Sequence, residues 1–257
     1  MSGVQQLILG TAQAYPIVVD AADFDGTNDM MTRGASLDGA ADSKLFTFVC
    51  WINADTLAGA DRRIFNSVTT VGGTTTRLNI TWTDADSNIQ IRARNAAGTS
   101  ILNMQAATPG TGTWVCMMFS CDLADTGKRQ FYYGDTDTTP TVVAYTDDVI
   151  DNTVADWAVG AAANGTEDWD GCFAELWYKI GVYIDFSNEG NRRKFISEGG
   201  KPVYLGATGN LPTGAAPDCY FHLADGAAVA GFATNLGTGG NFAITGTLAT
   251  CGSSPSD

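Results

Sequence analysis

Apolar and polar residues alternate with period two along most of this 257-residue chain, the pattern of strands that bury one face. LFTFVCWINAD (45–55) places Phe46, Phe48, Cys50 and Ile52 on one face. Val49 and Trp51 make its other face apolar too, so this strand is expected to be covered on both sides. RLNITWTD alternates Leu78, Ile80 and Trp82 with Asn79, Thr81 and Thr83, and NIQIRARNAAG alternates Ile89, Ile91 and Ala93 with Gln90, Arg92 and Arg94. The polar DADSN between them predicts a hairpin with one half-exposed face. TWVCMMFSCDLAD, apolar on both faces, predicts a central strand, and RQFYYGD, DWAVGAAANG, WDGCFAELWYKIG and CYFHLAD add further strands. Roughly ten to twelve such strands, punctuated by Gly, Asn, Asp and Thr, predict an all-β domain. One segment breaks the pattern. SNEGNRRKFISEGGKP offers Ser187 and Asn188 as caps and Gly199-Gly200 with Pro202 as stops, predicting one short helix near 187–198. Its Arg192, Arg193 and Lys194 form a basic cluster, read as a solvated helix face.

Composition narrows the function classes. A 44% hydrophobic content supports a sizeable core, while 28 acids against 14 bases leave a net charge of −14. Such a surface repels phosphate backbones, so no nucleic-acid partner is expected. MSGVQQLILGT has no basic start and only a short apolar run, which predicts neither a signal peptide nor membrane insertion and points to synthesis in a cytoplasm. The six cysteines (Cys50, Cys116, Cys121, Cys172, Cys219, Cys251) show no CxxC spacing. Cys50, Cys116 and Cys172 lie in apolar runs and are read as reduced, small hydrophobes, although spacing alone leaves disulfides open. The expected organisation is a single domain: 1–19 an N-terminal arm or edge strand, 20–250 the sandwich, and 251–257 a flexible tail.

Three stretches carry a family resemblance. FDGTND (24–29) is similar to an opening strand written fdGtndy, FTFVCWINAD (46–55) to ftvsfWvkpd, and WDGCFAELWYKIGVYIDFSNEGNRRKF (169–195) to a closing strand followed by a short helix. Together, over about 20–205, they resemble the concanavalin A-like lectin/glucanase superfamily in its laminin-G-like form. That resemblance implies a jelly-roll sandwich of two antiparallel sheets. The C-terminal FATNLGTGGNFAITGTLATCGSSPSD also resembles the tail of laminin-G-like proteins encoded by tailed bacteriophages and prophages. It implies a non-catalytic virion surface protein: a capsid decoration, a head fibre or spike, or a tail accessory. Capsid or tail proteins and a host-surface glycan would be its partners, a homo-oligomer its state and the virion its location. The alternative is a free-standing, lectin-like carbohydrate-binding protein, and a third reading is a divergent glycoside hydrolase.

Candidate chemistry is sparse. The resembling glucanases carry their two carboxyls on one strand in an E-x-D-x-x-E run. Here GCFAELWYKIG holds Glu175 alone, with Trp177 and Lys179 in phase, so the acid and nucleophile pair is missing. His222 is the single histidine, which excludes multi-histidine zinc sites. Set among the aromatics of CYFHLAD, it reads as a structural strand residue rather than a triad base. Glycan binding asks for exposed aromatics with polar neighbours. The candidates are Trp82, Trp157, Trp169, Tyr132 and Tyr133, with Trp157 and Trp169 expected to be most exposed beside turn residues; Trp51, Trp114 and Trp177 are assigned to the core. No cofactor is required. Ca²⁺ is the candidate metal, with Asp23, Asp25 and Asp29 around Gly26 as ligands; Asp84 and Asp86, Asp147, Asp148 and Asp151, and Asp168 and Asp170 are further acidic clusters, none with EF-hand spacing. The competing reading of ADFDGTNDMMTRG is a turn into a strand.

Overall fold

The computed structural model describes residues 16–55 and 59–257. Sixteen strands among the described residues form two antiparallel eight-stranded sheets. Sheet one runs in the order β10 (Thr136–Asp137), β9 (Arg129–Tyr133), β8 (Val115–Asp122), β3 (Leu45–Ala54), β13 (Asp170–Ile180), β1 (Ala22–Asp25) and β16 (Ala249–Thr250). A further strand, β14 (Cys219–Phe221), pairs with the distal part of β13. Sheet two runs β11 (Thr141–Tyr145), β7 (Ser100–Ala107), β6 (Asn88–Arg94), β5 (Thr76–Thr83), β4 (Arg62–Val68), β12 (Asp156–Val159), β2 (Met30–Thr32) and β15 (Ala243–Thr245). In chain order the strands change sheet eight times: between β1 and β2, β2 and β3, β3 and β4, β7 and β8, β10 and β11, β12 and β13, β14 and β15, and β15 and β16. This is the all-β architecture that the alternation predicts and the jelly-roll sandwich that the resemblance implies.

The inward residues form one aromatic-rich core. Phe65 lies 5.0 Å from Tyr178 and 5.5 Å from Trp157, and Trp169 stacks on Phe173 at 4.9 Å. Each such ring removes about 150–250 Å² from water, so these contacts dominate the energetics of the sandwich. The turn after β1 follows from Gly26, whose φ is +71°. A side chain there would place its Cβ 2.8 Å from that of Asp170, so the bend needs glycine.

The outer face of sheet one is a second apolar layer. Val49, Trp51, Cys116, Met118, Ala174, Trp177 and Tyr220 are covered by Ile184, Phe186, Phe195, Ile196, Val203 and Leu205. This explains why β3 and β8 are apolar on both faces. The predicted helix belongs to this cover but is shorter than expected: α1 spans only Glu189–Arg192. Asn188 caps it, its Oδ1 accepting from the Gly190 N–H at 2.9 Å. Phe195 and Ile196 are buried in the second layer, and the chain leaves the helix to put them there. Nor is the basic cluster simply solvated, because Arg192 and Arg193 both bind Asp135 at 2.8 Å.

Of the two expectations about the ends, the one for the C-terminus needs correction. Residues 1–15 lie outside the described residues, but the remainder of the expected arm pairs with its own domain: Pro16 bridges Val203 and Val19 bridges Ala224. The C-terminal segment is no free tail. Cys251 forms a disulfide with Cys172. The Ser256 hydroxyl accepts from the Val19 N–H at 3.0 Å and donates to the Ile17 carbonyl at 3.2 Å, and Trp114 Nε1 donates to Ser253 Oγ at 3.1 Å. Cys172 and Cys251 meet because β1 lies between β13 and β16, with Asp23 in register with both Cys172 and Ala249. Cys172, read as reduced from its apolar run, is therefore bridged, because its strand neighbour β1 brings the C-terminal strap within reach; Cys50, Cys116, Cys121 and Cys219 are free and buried, as read for Cys50 and Cys116. Burial raises the thiol pKa of each and makes it inert.

Candidate functional site

Sheet two presents its apolar alternates inward: Leu78, Ile80, Ile89, Ile91, Leu102 and Met104 are all core residues. Their neighbours therefore share the opposite face. Strand register arranges these neighbours in two rows across β4, β5, β6 and β7. One row reads Arg63, Thr81, Gln90 and Gln105, and the other Asn66, Asn79, Arg92 and Asn103. Adjacent members stand one strand spacing apart, about 4.8 Å. Five of the eight side chains are amides, two are guanidinium groups and one is a hydroxyl.

This face differs from the half-exposed one expected. Asn66, Asn79, Thr81 and Gln90 are recessed and buried, Asn103 and Gln105 are half-buried, and Arg92 is exposed. Arg63 reaches over the floor, donating from Nη1 to Thr81 Oγ1 at 2.8 Å while its Nε pairs with Glu167. The Thr81 hydroxyl donates to Asn79 Oδ1 at 2.8 Å, and Asn66 Nδ2 to the Ala161 carbonyl at 2.7 Å. Other groups remain unused. Asn66 Oδ1 and Asn103 Oδ1 are buried without partners, and among the described residues the side chains of Gln90, Gln105 and Arg92 make no hydrogen bond. Buried polar atoms are normally satisfied, so this concentration of unused donors and acceptors sets the face apart.

A concavity of about 410 Å³ lies where the edges of the two sheets meet, lined by Arg129, Gln130, Tyr132, Asp137, Thr139 and Val142 among others. Tyr132 donates to Asp137 Oδ2 at 3.2 Å, and the Thr139 N–H donates to Asp137 Oδ1 at 2.8 Å. Thr139 has a φ of +48°, a strained conformation for a β-branched residue. Arg192 lies 5.3 Å over the Tyr132 ring and occupies one of its faces.

The aromatic candidates do not assemble into a binding platform. Trp157 and Trp169, expected to be the most exposed, have no exposed surface and lie between the sheets. Proximity to turns does not expose a side chain whose strand position points inward. Trp82 is buried beside Trp169, with ring centroids 6.1 Å apart. Tyr132 lines the edge groove, and half-buried Tyr133 donates its hydroxyl to the Ala107 carbonyl at 2.9 Å.

The acidic candidates serve the backbone. Asp25 Oδ1 accepts from the Thr27 N–H at 2.9 Å, and Asp29 accepts from the N–H groups of Asp25 and Thr247 at 3.2 and 2.6 Å. Asp23 stands apart, its pKa raised by burial and then by the charges of Asp55 and Asp170. Among the described residues no three His, Cys, Asp or Glu side chains are disposed to hold a metal ion, so the expected Ca²⁺ ligands do not converge. Met30 and Met31 do begin a strand, as read.

Glu175 faces no cleft. It is 2% exposed; Tyr220 donates its hydroxyl to Oε2 at 2.8 Å, and His222 Nδ1 bonds Oε1. His222, the residue following β14, is thus tied to β13, a structural role. The amide face was only partly visible in sequence. Its signal was the polar alternation at 79, 81, 90 and 92, rich in amides rather than the lysines and glutamates of an ordinary solvated strand face. Asn66, Asn103 and Gln105 joined it only through strand register.

No protein-family model matches the chain, and no curated protein matches it. Solved structures do. A Bacteroides ovatus ATCC 8483 protein described as a candidate carbohydrate-binding protein superposes with a TM-score of 0.60 at 14% identity, covering 93% of this chain and 61% of its own. A heptameric SAP-like pentraxin from Limulus polyphemus gives 0.49 at 13% identity, covering 67% of this chain and 81% of its own. A Ruminococcus gnavus sialidase CBM40, solved with α2,3-sialyllactose, gives 0.42 at 10% identity, covering 68% and 93%. This chain thus spans about three fifths of the Bacteroides protein's length. At 14% identity that likeness speaks for the fold, and it agrees with the strand order: the chain folds as a jelly-roll β-sandwich.

Proposed function

We propose that this protein is a non-catalytic carbohydrate-binding domain whose glycan site is the amide and guanidinium face of sheet two. The observation that carries this reading is the pair of side-chain rows across β4 to β7. A sugar hydroxyl both donates and accepts, and so does a side-chain amide. A rigid sheet presents several such groups at fixed spacing without ordering a loop. The fold likeness to the Bacteroides protein supports the same reading. With no aromatic platform, single-site affinity is modest, and display in several copies would strengthen it by avidity. Absence of catalysis is part of the proposal. Retaining hydrolysis needs two carboxyls about 5 Å apart flanking the substrate, and Glu175 is enclosed by Tyr220 and His222.

A glycan array probed with multimerised protein tests this reading. Binding that Asn79→Ala and Gln90→Ala reduce at least about tenfold, with no reducing sugar released, is the expected result. No binding at any density would reject it. Virion display is a separate proposal, supported by the phage-like C-terminal sequence. It predicts co-purification with intact particles and fails if purified particles lack the protein.

A further inference from the structure

We infer that the glycan taken by this face carries an anionic substituent, and that Arg92 reads it. The inference rests on the glycan reading above and concerns the chemistry of that same site.

Arg92 sits in the middle of the second row, in register with Asn79 on β5 and Asn103 on β7. It is exposed and makes neither hydrogen bond nor ion pair with any described residue. That is unusual in a chain with twice as many acids as bases. Elsewhere four arginines meet carboxylates (Arg33 with Asp38, Arg77 with Asp151, and Arg192 and Arg193 with Asp135), while Arg62 donates to the Asp168 carbonyl and Arg129 to the Thr126 carbonyl. On this face Arg63 is neutralised by Glu167, and Arg94 donates to the Gly98 carbonyl at 3.0 Å. Arg92 alone has its fork uncommitted.

Its surroundings press against its charge. Partial desolvation where the exposed side chain lies along the sheet lowers the Arg92 pKa first, then the like charges of Arg63 and Arg94; Asp61 and Asp86 offset this in part. An anion at Arg92 would relieve that repulsion. The planar guanidinium can grip a carboxylate or sulfate with two parallel hydrogen bonds, while Asn79, Gln90 and Asn103 remain for ring hydroxyls. The molecule's charge of −14 repels densely charged polymers. The ligand that fits is therefore a largely neutral oligosaccharide bearing an isolated acidic group.

The test compares an oligosaccharide containing one glucuronic acid with the same compound reduced at its carboxyl to the alcohol. A monosulfated analogue forms a third arm. Titration calorimetry at low salt should show the acidic forms binding about tenfold tighter or more than the neutral one, with the gap narrowing as salt rises. The carboxylate and sulfate arms establish which anion is preferred. Arg92→Ala should abolish the gap between acidic and neutral forms, and Arg92→Lys should retain part of it. Equal binding of acidic and neutral forms, or a gap that survives Arg92→Ala, overturns this inference and leaves the glycan reading standing. No binding of any form, with array binding also absent, overturns both.

Discussion

Glu175 shows how one residue can close a gap in a sheet. On one edge, β13 pairs with β1 as far as Phe173 and with β14 from Leu176 onward. Glu175 falls between these partners, where the register with β3 also slips between Ala174 and Trp177. It adopts a φ of +49°, at a cost on the order of 1–3 kcal/mol. Its carboxylate reaches Tyr220 and His222 on the incoming strand and ties the junction together. Glu175→Ala would leave buried Tyr220 and half-buried His222 without their partner, with a loss of about 3 kcal/mol expected from urea unfolding. Burial alone lowers the His222 pKa, but the hydrogen bond and charge of Glu175 outweigh it, and the net shift is upward from 6.5. The folded state therefore holds that proton more tightly than the unfolded chain. The stabilisation is complete below 6.5 and is lost as pH rises through the higher folded value. Urea midpoints measured from about pH 6 to 9 should fall over that window in the parent and lose this dependence in Glu175→Gln.

At the scale of elements, the strap from β16 to the C-terminus matters most. β16 contributes only two residues to the sheet edge, too few to hold by backbone pairing alone. The Cys172–Cys251 bond closes a sequence separation of 79 residues. Restricting the unfolded chain over such a loop contributes about 4 kcal/mol in the chain-entropy account. Reduction, or Cys251→Ser, should lower Tm by about 10 °C and increase hydrogen exchange in the strap and in Ile17–Val19 before the central strands. Thiol titration of the denatured, unreduced protein should give four free thiols, matching the four unbridged cysteines. Six thiols would exclude the bridge.

For the whole molecule the relevant quantity is the distribution of charge. A net charge of −14 gives self-repulsion that salt screens. Tm should therefore rise by a few degrees between roughly 0.01 and 0.5 M salt, as differential scanning calorimetry would show. Anionic-glycan binding at Arg92 should weaken over the same range. Opposite salt responses would separate the global acidic field from the local basic one.

Much of the fold was legible because strand periodicity is a local property. Each alternating segment determined which of its residues would face inward, and the doubly apolar runs at 45–55 and 115–122 announced the second layer. FDGTND marked a glycine-dependent turn, and Asn188 a helix cap. Tertiary structure decided what depends on partners distant in sequence. It buried Trp157 and Trp169, brought Cys251 to Cys172, and shortened the helix so that Phe195 and Ile196 could reach the sheet. It also set the register that joined Asn66, Asn79, Arg92 and Asn103 into one row. The physical reason is the same throughout. A side chain's face follows from its own strand, but its neighbours follow from which strands pair and in what register, and non-local pairing and packing settle that together.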